Sequence, residues 1–281
     1  MLLNWLDPEF GSVILEMSLL SGLALIISSM GFYRVVYFIS IGYAFSIVAM
    51  SIITPLWHYE NLTWVSGLQN IFLTLWGLRL GIYLVRREFR ASYREELTDV
   101  HQRSSGMIWR TKITIWVSVS VLYVLMFSPS LFTLISRSFT TVWIFYLVQI
   151  AGLLLMGGGL VLEAVSDKQK SDYKSQFPKQ YCNVGLYRWV RCPNYFGEIT
   201  FWAGNWVIGT AFYNSPLKWS ASLAGMVCIV LIMIGSTKRL ERKQDERYGS
   251  QPEYQDYIRT VPVFFPFIPV YSLKKVRVYL E

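Results

Sequence analysis

Charge is scarce in this chain, and so are the residues from which most soluble active sites are built. Asp, Glu, Lys and Arg make up only 16% of the 281 residues, against roughly a quarter in ordinary soluble domains. The three cysteines, Cys182, Cys192 and Cys228, are odd in number and have no Cys-x-x-Cys spacing, which excludes a disulfide framework and a cysteine zinc site. The two histidines, His58 and His101, lie far apart in polar segments expected to be solvated, so neither a histidine triad nor a metal site is supported. No glycine-rich G-x-G-x-x-G follows a strand pattern, which excludes a Rossmann nucleotide site. The N-terminal MLLNWLDPEFGS has no basic leader and no small-residue cleavage site, so the apolar run behind it is expected to stay in the protein. There is no internal repeat, no low-complexity stretch and no soluble domain.

Apolar and aromatic residues are abundant. They reach 53% and 16% of the chain, with a mean hydropathy of +0.37, as expected for an integral membrane protein. Trp57, Trp64, Trp109, Trp143 and Trp219 crowd the ends of apolar runs, where amphipathic rings suit the headgroup layer. Runs long enough for a helix to cross about 30 Å of hydrocarbon fall near residues 13–31, 35–55, 63–85, 112–135, 142–163, 196–213 and 217–236. The fourth contains Pro129, and the sixth is short with three glycines. The expected fold is therefore an all-α polytopic membrane protein of about seven transmembrane helices, a single domain over residues 1–281.

Lys and Arg set the expected orientation. Residues 86–112 carry seven, 166–194 six and 238–281 nine, with Arg34 between the first two helices, which accounts for 23 of the 26. The alternate loops hold only Arg137 and Lys218, and Arg79 falls inside the third run. This alternation places the N-terminus outside and the C-terminus in the cytoplasm. No nucleic-acid partner is expected.

Juxtamembrane cations are explained by topology and by contact with anionic lipid, with no site required. Residues 166–198 hold more than that. Lys170 and Lys174 are four apart and share a face if the fifth helix extends into the cytosol. Arg188 and Arg191 have nearly the same spacing, and the cations are interspersed with Asp167, Asp172, Tyr173, Tyr187, Trp189, Asn194 and Tyr195. Cations among aromatic planes and amides at a helix start suit a ligand with phosphates and a flat ring.

Three stretches carry a family likeness: SDKQKSDYK at 166–174, GLYRWVRCPNYFGE at 185–198, and ERKQDERYGSQPEYQDYIRTVPVFFPFIP at 241–269. With these, the chain from about residue 142 onward resembles the C-terminal domain of the steroid 5-alpha-reductase family, and more broadly the membrane sterol reductases. WGLRLGIYLVRR at 76–87 resembles that family's uncharacterised bacterial branch. The resemblance implies a bacterial inner-membrane enzyme that binds NADPH in a pocket open to the cytosol. It implies hydride transfer to an activated carbon-carbon double bond of a steroid-like or other lipid substrate arriving from the bilayer. Residues 142–281 would form the cofactor part, and helices one to four, within 1–141, the substrate cavity.

Position by position, the resemblance implies cofactor contacts at Asp167, Lys170, Lys174, Tyr187, Arg188, Arg191, Asn194, Tyr195 and Glu198, with Asn194 and Glu198 on the nicotinamide side. The tail matches more loosely at Arg239, Tyr248, Tyr257 and Arg259. Glu198 has a second reading as a helix-start carboxylate favoured by the dipole. Reduction of an enone also needs a polariser and a proton donor, and hydrogen-bonding groups inside apolar spans are the candidates. They are Glu16, Gln69, Asn70, Arg79 and Tyr83, with Tyr83, Glu16 and Glu198 the catalytic set. Gln69 and Asn70 have the alternative of bonding a neighbouring helix, and Tyr83 that of an interfacial belt residue. Two other functions stay open. One is that of the isoprenylcysteine carboxyl methyltransferases, which share the Asn-Tyr element and the Val-Pro tail, use S-adenosylmethionine, and have His where this chain has Cys192. The other is a non-enzymatic lipid-binding membrane protein.

Overall fold

The computed structural model describes residues 8–89, 106–136 and 143–276; the basic stretch 90–105 with His101, and Arg137, lie outside the described residues. These residues form helices and no strand. The helices are α1 (Pro8–Ser28), α2 (Ile41–Trp57), α3 (Trp64–Glu88), α4 (Trp109–Ile135), α5 (Trp143–Gln176), α6 (Pro193–Thr210), α7 (Pro216–Tyr248) and α8 (Pro252–Thr260). Six among the described residues are long and apolar enough to cross a membrane, and α6, built from the sixth apolar run, is not one of these.

The second candidate span, Val35–Trp57, begins where its apolar run does. It opens with a 3-10 turn, Val35–Ile39, ahead of α2, and a second such turn, Ser29–Phe32, follows α1. The two turns pack closely, since a Cβ on Gly31 would lie 2.0 Å from the Phe38 ring. α5 and α7 run 34 and 33 residues, about 50 Å each at 1.5 Å per residue. Both therefore overshoot the hydrocarbon and carry their charged C-terminal turns beyond it. Pro129 stays inside α4 because Ser128 Oγ donates to Leu125 O at 2.8 Å, replacing the hydrogen bond that proline cannot make.

The chain divides into two compact units, Met1–Leu153 with Asn205–Gly225, and Leu154–Gly204 with Met226–Glu281. The first is held by a buried polar network. Gln69 Nε2 donates to Asn205 Oδ1 at 2.8 Å, Thr133 Oγ1 to Gln69 Oε1 at 3.0 Å, Ser130 Oγ to Asn70 Oδ1 at 3.0 Å, and Asn205 Nδ2 to Met126 O at 3.1 Å. Polar side chains inside an apolar bundle are tolerated when they pair in this way. Gln69 and Asn70 thus take the helix-bonding role of their two readings.

In the second unit α5 and α6 cross at glycine. A Cβ on Gly159 would stand 2.5 Å from Phe201 N, and one on Gly197 would stand 2.9 Å from Glu163 N. Residue 159 therefore faces 201 while 163 faces 197, so the two helices are antiparallel. α6 is antiparallel to α7 as well, because Arg191, just before α6, meets Glu241 late in α7, whereas only residues 211–215 join the end of α6 to the start of α7. α5 and α7 consequently run in the same direction, with α6 returning between them.

Candidate functional site

The polar layer of the second unit starts on the extension of α5. Its helix continues through SDKQKSDYKSQ, stopping two residues before Pro178, so Lys170 and Lys174 do share a face. Lys174 Nζ donates to Tyr248 Oη at 2.7 Å, at the end of α7, and to the carbonyls of Gln180 and Pro178. It also lies 5.1 Å from the centroid of the Tyr248 ring. Lys170 and Asp167 are half-buried one and two turns earlier.

The loop after α5 is fastened by aromatic and backbone contacts. The Tyr181 ring packs against those of Tyr248, Tyr254 and Tyr257 at 5.9, 5.2 and 5.2 Å. Gly185 has a positive φ of 58°, where any Cβ would also collide with the Gln169 side chain, and Gln169 Oε1 accepts the Leu186 N–H at 2.9 Å. Tyr257 Oη donates to Tyr187 O at 2.7 Å, and Tyr254 Oη donates to Asp245 at 2.9 Å. Burial raises the phenol pKa of both Tyr254 and Tyr257 well above the usual tyrosine range, in Tyr254 with help from the bond to Asp245. Both act as neutral donors. Tyr187, Tyr248 and Tyr257 thus tie the loop to α7 and α8 through the contacts described.

Arg191 departs from its expected part as an available phosphate ligand. Its guanidinium is buried and bonds Glu241 at 2.7 Å and the Tyr271 carbonyl, while the second Glu241 oxygen accepts Leu273 N–H at 2.9 Å. The backbone N–H groups of Arg191 and Cys192 donate to Pro262 O and Val263 O at 2.9 and 3.0 Å. Arg191 is thereby a clamp for the C-terminal tail. Cys192, in the position where the methyltransferases have His, is packed with Val263, Phe264 and Leu273, and burial pushes its thiol up to about 11.

α6 opens with Pro193 at its first position, followed by Asn194 and Tyr195, both half-buried, and by buried Glu198. Asn194 and Glu198 are four apart on one face. The glycine crossing sets a second buried carboxylate, Glu163 of α5, against α6 at Gly197, next to Glu198 in sequence. Sequence reasoning passed over Glu163, although it is the sole charge between Trp143 and Ser166. It also passed over Glu241 and Lys238, which are buried. Arg188, Arg239 and Arg259 are exposed. Arg239 stands two residues before Glu241, on the opposite side of α7 from the clamp.

The remaining expected residues are in the first unit. Glu16 pairs with His58 Nε2 at 2.8 Å, so His58 is held by a carboxylate rather than solvated by itself. His58 closes α2 just before α3 begins, and Tyr83 lies 19 residues along α3 from Trp64, about 28 Å away. Glu16 and Tyr83 therefore stand at opposite ends of the bundle and do not serve one reacting centre. At the Tyr83 end, Tyr37 Oη donates to Glu88, and Arg34 pairs with the same carboxylate at 3.5 Å.

The family described as Protein of unknown function (DUF1295) matches residues 25–261. An uncharacterised protein of Schizosaccharomyces pombe is 28% identical over 128 residues, covering 38% of this chain and 35% of its own length. The chain thus spans about a third of that relative. No solved structure matches.

Proposed function

The chain belongs to the DUF1295 family, and from that premise we propose that it is a membrane oxidoreductase using NADPH to reduce an activated carbon-carbon double bond of a steroid-like or other lipid substrate. The observation that carries this reading is a convergence. Segments 166–174, 185–198 and 241–269 are brought into one unit by Lys174 on Tyr248, Tyr257 on Tyr187, Arg191 on Glu241, and the Arg191 and Cys192 N–H groups on Pro262 and Val263. Those are the stretches that resemble the steroid 5-alpha-reductase C-terminal domain.

The donor set suits a dinucleotide with an extra phosphate. Lys170 and Lys174 line one helix face, and Arg188 and Arg259 are exposed in the adjoining segments. Charge-assisted bonds from Lys170, Arg188 and Arg259 would hold the phosphates, with Lys174, engaged by Tyr248 and the Gln180 and Pro178 carbonyls, adding charge beside them. Asn194 and Glu198 would orient the nicotinamide from the first turns of α6. NADPH, when bound, supplies the hydride. Tyr83 keeps the proton-donor role in this reading, at the same end of α3 as Arg86 and Arg87, and Glu16 is left as the partner of His58.

The direction of the helices supports seven spans in this reading. α5 and α7 run the same way, which fits a crossing by α6, the helix between them in the chain. Its 18 residues would reach about 27 Å, close to the hydrocarbon thickness. Seven spans would put the termini on opposite sides, with the basic segments in the cytoplasm of a bacterial inner membrane.

The test is isotopic. The purified chain is incubated with lipid extract and NADPH carrying deuterium on the reactive nicotinamide carbon. Deuterium on a lipid carbon, with the second hydrogen drawn from solvent, is the expected result. Transfer of label from S-adenosylmethionine with none from NADPH would replace this reading with the methyltransferase one.

A further inference from the structure

An apolar hairpin protrudes from the tail, outside every span. Val263 N–H donates to Val270 O at 2.9 Å, Ile268 N–H to Phe265 O at 3.2 Å, and Val270 N–H to Ile268 O at 2.7 Å. Pro266 and Pro269 stiffen the turn. The closed loop turns Phe267, Ile268 and Val270 outward, with Phe267 93% exposed, while Phe265 is exposed on one side and meets the Phe196 ring at 5.1 Å on the other. Its base is fixed, because Val263 and Leu273 are buried in the cluster with Cys192. A rigid turn presenting this much apolar surface calls for a cover.

The depth of that base identifies the cover. In α7, the exposed Trp219 and the exposed Arg239 bracket a run whose one charge, Lys238, is buried, and the 20 steps between them span about 30 Å, the thickness of the hydrocarbon. Glu241, which receives Leu273 N–H, is two residues further, about 3 Å along the axis. The hairpin is thus rooted within the headgroup layer, which is about 5 to 8 Å deep on each side. Exposed Arg188, Trp189 and Lys275 lie within three residues of its fastened points at Arg191 and Leu273, while Lys274 is paired with Asp245. Cations and an indole at this depth suit anionic headgroups.

We propose that residues 264–271 form an interfacial anchor, inserting the Phe265–Phe267–Ile268 tip into the leaflet at this end of α7. The basic residues beside it then meet anionic lipid. Because the same tail pairs with Arg191 and Cys192, directly ahead of α6, the anchor also fixes the depth of Asn194 and Glu198. It stands whether or not the chain is a reductase.

The experiment uses the full chain with Cys228→Ser, in vesicles of phosphatidylcholine and phosphatidylglycerol. A nitroxide is placed on Phe267→Cys, with Leu154→Cys on the apolar part of α5 and Ser250→Cys in the turn after α7 as references. Phe267 touches little protein, so folding is spared. The label at 267 is expected to follow the Leu154 pattern, relaxed more by oxygen than by a polar nickel complex. The bias should grow with phosphatidylglycerol content and lose that growth in an R188Q/K275Q background, which leaves the Lys274–Asp245 pair intact. The Ser250 pattern at 267 would overturn the proposal by placing the loop in water. Shielding from both reagents would overturn it by placing protein over the loop.

Discussion

Replacing Glu241 with alanine leaves the buried Arg191 guanidinium without its carboxylate and Leu273 N–H without its acceptor. Both side chains of the pair are almost wholly enclosed, at 4% and 3% exposure, with the oxygens engaged at 2.7 and 2.9 Å. Breaking a buried pair from one side costs about 3 to 5 kcal/mol, because the remaining charge is stranded. At about 2 to 4 °C per kcal/mol for a chain of this order of size, Glu241→Ala should unfold roughly 6 to 20 °C earlier. The assay is thermal unfolding in detergent followed by tryptophan fluorescence, paired with trypsin cleavage at Lys274 and Lys275, which should accelerate as the tail comes free. Removing both charges together, Arg191→Met with Glu241→Leu, strands no charge, leaves only Leu273 N–H and the Tyr271 carbonyl without these partners, and should recover most of the loss. The clamp is refuted if Glu241→Ala unfolds with the wild type, or if the double variant is as unstable as the single one.

Three further outcomes are expected. Gly197→Ala forces a Cβ onto the backbone of α5, where no side chain can yield, and should destabilise by about 1 to 3 kcal/mol; unchanged thermal unfolding would contradict the close crossing. Gln69→Leu strands Asn205 and Thr133 in the buried network and should lower the same midpoint by about 1 to 2 kcal/mol; a stabilised variant would show that the network is dispensable. Cys192, with its thiol at about 11, should resist maleimide near neutral pH. Because the fold favours the protonated form, its contribution to stability is present below the ordinary thiol value and is lost as pH rises from about 9 towards 11; labelling at Cys192 in the folded chain at neutral pH, read by peptide mapping, would contradict the burial.

The apolar runs disclosed every long helix because hydrocarbon requires internal hydrogen bonding along each crossing, and that requirement is written locally. Local patterning did not reveal where α5 and α7 end, since their charged extensions are as polar as a loop; only the spacing of Lys170 and Lys174 hinted at a shared face. Candidate ligands were legible by residue type and by resemblance, but their commitments were not. Arg191 reads as a phosphate cation until Glu241, fifty residues later, is found against it, and Glu16 reads as a stranded acid until His58 is found beside it. Both depend on long-range pairing, which one sequence does not encode in any short window. Glu163 was visible as a lone charge in an apolar run, and gained meaning only once the glycine crossing brought it to α6.

Equilibrium binding of NADPH to the purified chain, with NADH and S-adenosylmethionine as competitors, is the most direct measurement of the central claim. NADPH should bind more tightly than either. Lys170→Ala, which spares the Lys174 contacts with Tyr248, should weaken NADPH about tenfold through loss of one charge-assisted bond of about 1.5 to 3 kcal/mol, with less effect on NADH. Equal affinity for the two nicotinamide cofactors, or binding of S-adenosylmethionine alone, would contradict the account.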